Sequence, residues 1–314
     1  MYSNKKIAVV IPCYNEAAAI GKVITDFRMH LPDADIYVFD NNSTDFTAEV
    51  AAREGAIVRH VGYRGKGNVV RRMFADVNAD IYVMVDGDDT YEAAAAPAMI
   101  KRLLADHLDM VVGTRVENGD EKTYRPGHRF GNKMLTGAVS KIFKGSFKDM
   151  LSGYRVFSRR YAKSFPCQSH GFEIETELTI HALELRMRIG EVPTAYGERP
   201  EGSLSKLSTY KDGIKILKTI IQLYAYERPL LFYSLVAAFF AFISLMIGAP
   251  VVADFVEMGI VPKLPSAIAA ASVMVMAMLC LGCAIISHLI TVCRREAKYL
   301  SYLSYNCESK GSEK

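Results

Sequence analysis

Ile81-Tyr82-Val83-Met84-Val85-Asp86-Gly87-Asp88-Asp89 sets five apolar residues directly against a carboxylate-rich turn. A short apolar run that ends abruptly in a polar turn reads as a buried strand. The run does not alternate with polar residues, so both faces of the strand must be covered, as in a parallel sheet sandwiched by helices. Working outward, the same pattern recurs. Lys6 to Ile11 is a strand closed by Pro12-Cys13-Tyr14-Asn15-Glu16, and Asp35 to Asp40 is a strand closed by Asp40-Asn41-Asn42-Ser43. Ala56 to His60 is a third strand, and Met110 to Gly113 is a fifth that leads into Thr114-Arg115. Helices are expected over Ala17 to Met29, Thr47 to Glu54 (capped by Ser43, Thr44 or Asp45), from the loop Gly62 to Gly67 to near Val77, and over Pro97 to Asp106. Strands alternating with helices imply a doubly wound α/β sheet. Ligands of such sheets bind at the carboxyl ends of the strands, which is where the polar clusters fall.

The remainder of the 314 residues has a different character. Pro229 to Ala253 and Leu264 to Cys293 contain no Asp, Glu, Lys or Arg. Each exceeds the roughly 20 apolar residues that a helix needs to cross a bilayer. Helices packed on the surface of a domain usually show a charged or polar stripe, whereas these runs hold only scattered Ser and Thr and His288, so a transmembrane hairpin is a better reading than a pair of buried core helices. Arg228 precedes the first run and Arg294, Arg295 and Lys298 follow the second, whereas the link holds Asp254, Glu257 and Lys263. The positive-inside rule places both ends of the hairpin in the cytoplasm. Met1 to Lys6 has no signal-peptide pattern, so the amino-terminal domain is expected there too. The expected organisation is a catalytic domain over 1–198, an amphipathic interfacial segment over 199–228, spans at 229–253 and 264–293, and a cytoplasmic tail over 294–314. In the interfacial segment, Lys211, Lys215 and Lys218 share one helix face, which suits anionic headgroups. A solvated helix face would look the same.

Six cysteines in a cytoplasmic setting predict no disulfides, and Cys280, Cys283 and Cys293 read as small apolar residues of the second span. A net charge of +4 does not point to nucleic acid.

Asp86 and Asp88, separated by a glycine on a turn, can both face one Mg²⁺ or Mn²⁺, a hard cation that takes oxygen ligands and is shared with substrate phosphates. Asp89 is either a third ligand or a helix cap. Asp40 can accept from a base or ribose, or cap its own turn. Gly65-Lys66-Gly67 at a helix start suits a phosphate. The spacing is not that of a P-loop, and the first strand lacks GxGxxG, which sets aside NTPases and dehydrogenases.

Ile11-Pro12-Cys13-Tyr14-Asn15-Glu16, Asp40-Asn41-Asn42-Ser43-Thr44-Asp45, Gly65-Lys66-Gly67 and Asp86-Gly87-Asp88 together resemble the GT-A fold of family 2 inverting glycosyltransferases. Asp149-Met150-Leu151-Ser152-Gly153-Tyr154-Arg155, Phe172-Glu173-Ile174-Glu175-Thr176-Glu177 and the stretch from Tyr196 to Leu207 narrow the resemblance to the dolichol-phosphate mannose synthase group. The resemblance covers roughly residues 6 to 228. It implies that a GT-A nucleotide-diphospho-sugar transferase sheet is followed by interfacial helices and the hairpin. The implied reaction moves a hexose from a UDP- or GDP-linked donor to undecaprenyl or dolichyl phosphate. Pro12, Tyr14, Glu16, Asp40 and Lys66 would hold the nucleotide, and Asp86 and Asp88 the metal and diphosphate. Arg115, Arg129, Arg155, Arg199 and Lys206 would gather donor and acceptor phosphates, although any single arginine could instead form a surface salt bridge, Arg129 before Arg115 or Arg199. Thr90 stands where some members carry a glutamine ligand, which leaves the third ligand between Asp89 and Thr90.

Displacement at the anomeric carbon with inversion needs no strong base when the acceptor is a phosphate, whose second pKa is about 6. Asp149 lies where other members place a base. A transferase to a sugar hydroxyl would depend on it. A processive polysaccharide synthase would carry QxxRW, which a chain without tryptophan cannot. A non-catalytic lipid-carrier-binding protein would not need the Asp86/Asp88 pair. A single hairpin is a small anchor and leaves room for a homo-oligomer through the spans.

Overall fold

The computed structural model describes residues 5–117, 137, 139–140, 147–167, 169, 173–197, 221–222 and 225–305. The chain divides into two units, Met1–Asp212 with Ala297–Lys314, and Gly213–Glu296.

The first unit is built on a seven-stranded sheet. Its strands are β1 (Ile7–Cys13), β2 (Asp35–Asp40), β3 (Ile57–His60), β4 (Ile81–Met84), β5 (Met110–Glu117), β6 (Arg155–Ser158) and β7 (Ile189–Tyr196), in the order β3-β2-β1-β4-β6-β5-β7. The helices are α1 (Ile20–His30), α2 (Thr47–Arg53), α3 (Lys66–Asp76), α4 (Ala96–Ala105), α5 (Arg159–Ser164) and α6 (Ile174–Glu184). The first five strands fall where their apolar runs predict. The sheet is mixed rather than wholly parallel, because β6 runs antiparallel between β4 and β5.

Side chains of successive residues leave a strand on opposite faces, and here both faces are buried. Ile7, Val9, Ile11 and Cys13 of β1 join Ile81 and Val83 of β4 in a core roofed by α1 and α4. Ala8 and Val10, with Tyr82 and Met84, point into a second core under α3, α5 and α6. Two helical layers account for the continuous hydrophobicity of these strands. Each such aliphatic side chain contributes on the order of 1.5–3 kcal/mol by leaving water.

The reversed strand positions the site. Arg155, the first residue of β6, lies beside Met84 near the end of β4 and Val112 of β5. An antiparallel strand thus brings its amino end, and the preceding residues 149–154, to the rim where the parallel strands present their carboxyl ends.

The second unit contains α7 (Pro229–Met258) and most of α8 (Leu264–Ser304). Both helices are long and apolar enough to cross a membrane, and most of their surface is exposed Leu, Ile, Phe, Val and Met. The buried positions recur every seven residues: Ala237, Ser244 and Val251 on α7, and Ala270, Ala277, Ala284 and Thr291 on α8. Small residues at this spacing let two backbones approach closely. Ser244 Oγ donates to the Ala270 carbonyl at 2.7 Å. Near the other end of α8, Arg294 Nη2 lies 2.7 Å from the buried Glu227 carboxylate, and Thr291 Oγ1 donates to the Tyr226 carbonyl.

Beyond residue 293, the end expected for the second span, α8 continues to Ser304. Its last turns belong to the first unit. There Lys298 Nζ lies 2.7 Å from Glu184 Oε2, whose side chain is fully buried. The Tyr302 hydroxyl donates to Asp109 Oδ2 at 3.0 Å, and the Arg160 guanidinium stacks over the Tyr302 ring. Most of the amphipathic segment expected over 199–228, including its three aligned lysines, lies outside the described residues.

Candidate active site

The loops after β1 and β2 are strapped together. Asn15 N donates to Ser43 Oγ, Thr44 N to Asn15 Oδ1, Glu16 N to Thr47 Oγ1 and Ala17 N to Asp45 Oδ2, all at 2.8–3.1 Å. Asn15 and Asn42 adopt left-handed backbone with φ of 55° and 62°, as does Asp89 after β4 at 57°. Asn and Asp tolerate this region best among residues with a side chain. Three such residues at three strand ends on one rim suit a site whose shape is held by its surroundings. Pro12, Tyr14, Glu16 and Asp40 are brought together on this strap. Arg64 sits over the Tyr14 ring, 5.3 Å from its centre. Asp40 is buried, with backbone N–H of Ser43 and the His60 ring within 3.4 Å of its carboxylate.

Asn41 builds the approach to Lys66. Its amide nitrogen donates to the carbonyls of Val61 and Tyr63, and its oxygen accepts from Gly65 N at 2.7 Å. Gly65, with φ 122° and ψ 135°, then makes the turn into α3 in a conformation that favours glycine. Lys66 follows at the helix start. Its ammonium lies 2.5 Å from Asp86 Oδ1 and 2.6 Å from Glu175 Oε1. Burial opposes the charge on Lys66, but the two carboxylates outweigh it and raise its pKa above the ordinary lysine value.

The turn Asp86-Gly87-Asp88 is packed without slack. A Cβ at Gly87 would collide with Cys13 Sγ, and a Cβ at Gly153 would collide with the Asp86 carboxylate. Asp88 is buried, and its Oδ1 accepts from Thr90 Oγ1 at 2.6 Å and from Thr90 N at 3.3 Å. Asp89 is engaged instead by Lys22, 2.7–2.8 Å from its two oxygens. Thr90 therefore orients Asp88, and Asp89 forms an ion pair with α1. Among the described residues no three His, Cys, Asp or Glu side chains gather closely enough to enclose a metal. The two carboxylates of Asp86 and Asp88 fit a hard cation that completes its shell with phosphate oxygens and water.

On the far side of β4, Arg115 and Asp149 face each other as a fork. Arg115 Nε reaches Asp149 Oδ2 at 2.6 Å and Nη2 reaches Oδ1 at 2.8 Å. Burial alone would raise the Asp149 pKa, but the Arg115 hydrogen bonds and charge dominate and hold it below the ordinary carboxylate value. The same guanidinium lies over the Tyr196 ring at 5.4 Å. Behind the pair, Ser152 Oγ donates to the Gly113 carbonyl at 2.6 Å and Gly153 N donates to the Tyr91 hydroxyl at 3.0 Å.

Arg155 requires a correction. The sequence reading placed it among phosphate ligands, yet the side chain is fully buried. Its guanidinium donates to the carbonyls of Ser152, Met150 and Glu175 and to Thr179 Oγ1. It supports the backbone of the 149–155 segment from beneath. Arg129, Arg199 and Lys206 lie outside the described residues. Sequence reasoning gave no role to Glu175, Gly153 or Tyr91, all of which touch the site. Glu175 and Gly153 stood inside motifs that were noticed, but nothing local marked which residue of each faced inward.

Comparison with known proteins identifies the family. Residues 8–165 match the family described as glycosyl transferase family 2. Glycosyltransferase AglJ of Haloferax volcanii is 35% identical over 72% of this chain and 75% of its own length. The dolichyl-phosphate hexose transferase of the same organism is 30% identical over 72% of this chain and 97% of its own. Glucosyl-3-phosphoglycerate synthase from Mycobacterium tuberculosis, solved with Mn²⁺, UDP-glucose and phosphoglyceric acid, superposes with a TM-score of 0.54. It is 25% identical, and the match covers 69% of this chain and 80% of that one. With a GT-A-like mixed sheet, and relatives that include polyprenyl-phosphate sugar transferases, the chain belongs to glycosyl transferase family 2.

Proposed function

We propose that this glycosyltransferase moves a hexose, with inversion, from a nucleotide-diphosphate sugar to a polyprenyl phosphate at the cytoplasmic face of a membrane, using Mg²⁺ or Mn²⁺. The choice of acceptor rests on the Arg115–Asp149 pair. A sugar hydroxyl must lose its proton as it attacks and needs a base. Asp149, the base candidate, is locked bidentately to a guanidinium and has a lowered pKa, which makes it a weak base and a firm anchor. A phosphate acceptor has no such need, being largely ionised near neutral pH. The dolichyl-phosphate hexose transferase among the relatives supports the same acceptor class.

In this reading Pro12, Tyr14, Glu16, Asp40 and Lys66 hold the nucleotide. Asp86 and Asp88 hold the cation, which when bound acts as a Lewis acid on the departing diphosphate. The Mn²⁺ and UDP-glucose complex of the synthase is in keeping with this use of the fold. Arg115, with Arg129, Arg199 and Lys206, gathers the acceptor and donor phosphates, and Asp149 aims Arg115. A phosphate oxygen of the acceptor bonds to the anomeric carbon as the bond from that carbon to the nucleoside diphosphate breaks. The electron pair leaves on the diphosphate and no proton has to move. The chain's contribution is alignment of two anionic partners and fixed positive charge between them. The apolar helices α7 and α8 keep the enzyme where a lipid acceptor resides, and Arg228, Arg294 and Arg295 favour cytoplasmic ends for both.

The test is purified protein with Mn²⁺ or Mg²⁺, polyprenyl phosphate and a panel of labelled UDP- and GDP-sugars. A labelled lipid phosphate from one donor is expected. Labelling of a hydroxyl acceptor alone would replace the lipid-phosphate reading, and no product from any donor would end it.

A further inference from the structure

Glu175 is not required by the scheme above, yet it is among the most tightly held side chains at the site. It is 7% exposed, on the first turn of α6, and its carboxylate lies 2.6 Å from Lys66 Nζ. Its carbonyl accepts from Arg155 Nη2 at 3.1 Å and from Thr179 Oγ1 at 3.0 Å, so its backbone is fixed from two sides. Lys66 is thereby shared between two carboxylates from distant parts of the chain, Asp86 at the end of β4 and Glu175 on α6.

Asp86 alone already pairs the buried ammonium. The second carboxylate changes two things. A lysine ends in a compact charge on a flexible stem, and a single partner leaves it free to pivot about that bond. Two acceptors at 2.5 Å and 2.6 Å fix where the ammonium stands. The second partner also divides the lysine's positive charge. With Asp86 as its sole carboxylate, the ammonium would neutralise the group that has to attract a divalent cation. With Glu175 present, the positive charge of Lys66 is shared and less of it falls on Asp86.

We infer that Glu175 is a positioning residue: it holds the Lys66 ammonium in place and draws part of its charge off Asp86, leaving the Asp86/Asp88 pair able to take a divalent cation. This rests on the proposed function for the identity of the site, but the measurement does not. Mn²⁺ binding to the full-length protein, followed by electron paramagnetic resonance without nucleotide or acceptor, reads the cation site directly. A wild-type protein that binds Mn²⁺ but makes no lipid product would refute the acceptor assignment and leave Glu175 still under test.

Loss of a partner that orients a metal ligand typically weakens affinity 10–100-fold. Glu175→Gln, which keeps shape and removes charge, is expected to raise the Mn²⁺ concentration for half-saturation by about that factor. Glu175→Asp, which keeps the charge but withdraws it by one methylene, should fall between the two and serves if Glu175→Gln does not fold. In a Lys66→Met background the Glu175→Gln effect should disappear, because there is no ammonium left to place. Wild-type Mn²⁺ affinity in Glu175→Gln or in Glu175→Asp, or an undiminished Glu175 effect without Lys66, would overturn the inference.

Discussion

Gly153→Ala is the sharpest single perturbation of this site. A Cβ at residue 153 would stand 2.9 Å from Asp86 Cγ and 3.1 Å from Oδ1, and nearer still to Oδ2. Ordinary non-bonded contacts between carbon and other heavy atoms lie near 3.5–4.0 Å, so the carboxylate has to retreat by about 1 Å. The glycine cannot easily yield instead. Its N–H is bonded to the Tyr91 hydroxyl at 3.0 Å, and Ser152 before it is tied to the Gly113 carbonyl. Overpacking of this kind costs about 1–3 kcal/mol of stability, whereas an error of about 1 Å in a reacting constellation can cost on the order of 100-fold in rate. The variant should therefore remain folded while kcat/KM for the nucleotide sugar falls about 100-fold and half-saturation by Mn²⁺ rises. Steady-state kinetics, Mn²⁺ titration and a thermal melt on one preparation separate these effects. A folded variant with wild-type kcat/KM would show that the placement of Asp86 does not govern the reaction. Activity lost only in proportion to folded protein would assign Gly153 to stability alone.

Asp149→Asn should retain transfer to a lipid phosphate within about tenfold, below the 10²–10⁴-fold expected for removing a general base; a larger loss in folded protein would make Asp149 the base. Because Arg115 holds the Asp149 pKa low, the pair stabilises the fold above the ordinary carboxylate pKa of about 4 and the benefit is lost as pH falls through the lower folded value. The stability gap between wild type and Asp149→Asn should thus close in acid denaturation. His181 is buried beside Ser164, and burial, with Lys298 nearby, lowers its pKa to about 3. The unfolded state binds the extra proton, so stability should decline as pH drops from about 6.5 towards 3, and melts of His181→Gln across that range should show a flatter slope. Lys298→Met leaves the buried Glu184 carboxylate without its ammonium and should destabilise the first unit by about 3–5 kcal/mol, with partial recovery in a Glu184→Gln background, both read by thermal unfolding.

The strands that carry the site were legible because two helical layers force them to be apolar throughout. β6 was not, since four residues opening with an arginine carry no run long enough to register. Missing β6 also misplaced Arg155: only a strand wedged between β4 and β5 buries that guanidinium, and in isolation an arginine after Ser-Gly-Tyr reads as a surface cation. Arg115 and Asp149 were both singled out, but their mutual grip depends on β5 and the segment entering β6 meeting 34 residues apart. Glu175 lies 109 residues from Lys66, and Glu173, Glu175 and Glu177 are locally indistinguishable. The extension of α8 past residue 293 was readable. No glycine or proline occurs between Gly282 and Gly311, and the charged residues that close an apolar run do not end a helix.

The order of synthesis gives the last turns of α8 a further meaning. Glu184 and Asp109 are made before the two apolar helices, whereas Lys298 and Tyr302, which contact them, are made at the very end of the second. At about 5–20 residues per second, the catalytic unit spends several seconds with Glu184 lacking that ammonium while α7 and α8 leave the ribosome. Completion of its buried charge pairing is therefore a late event in the life of the chain, timed by the hairpin. A chain halted within these helices would present to the cell's proteases a transferase whose fold is unfinished.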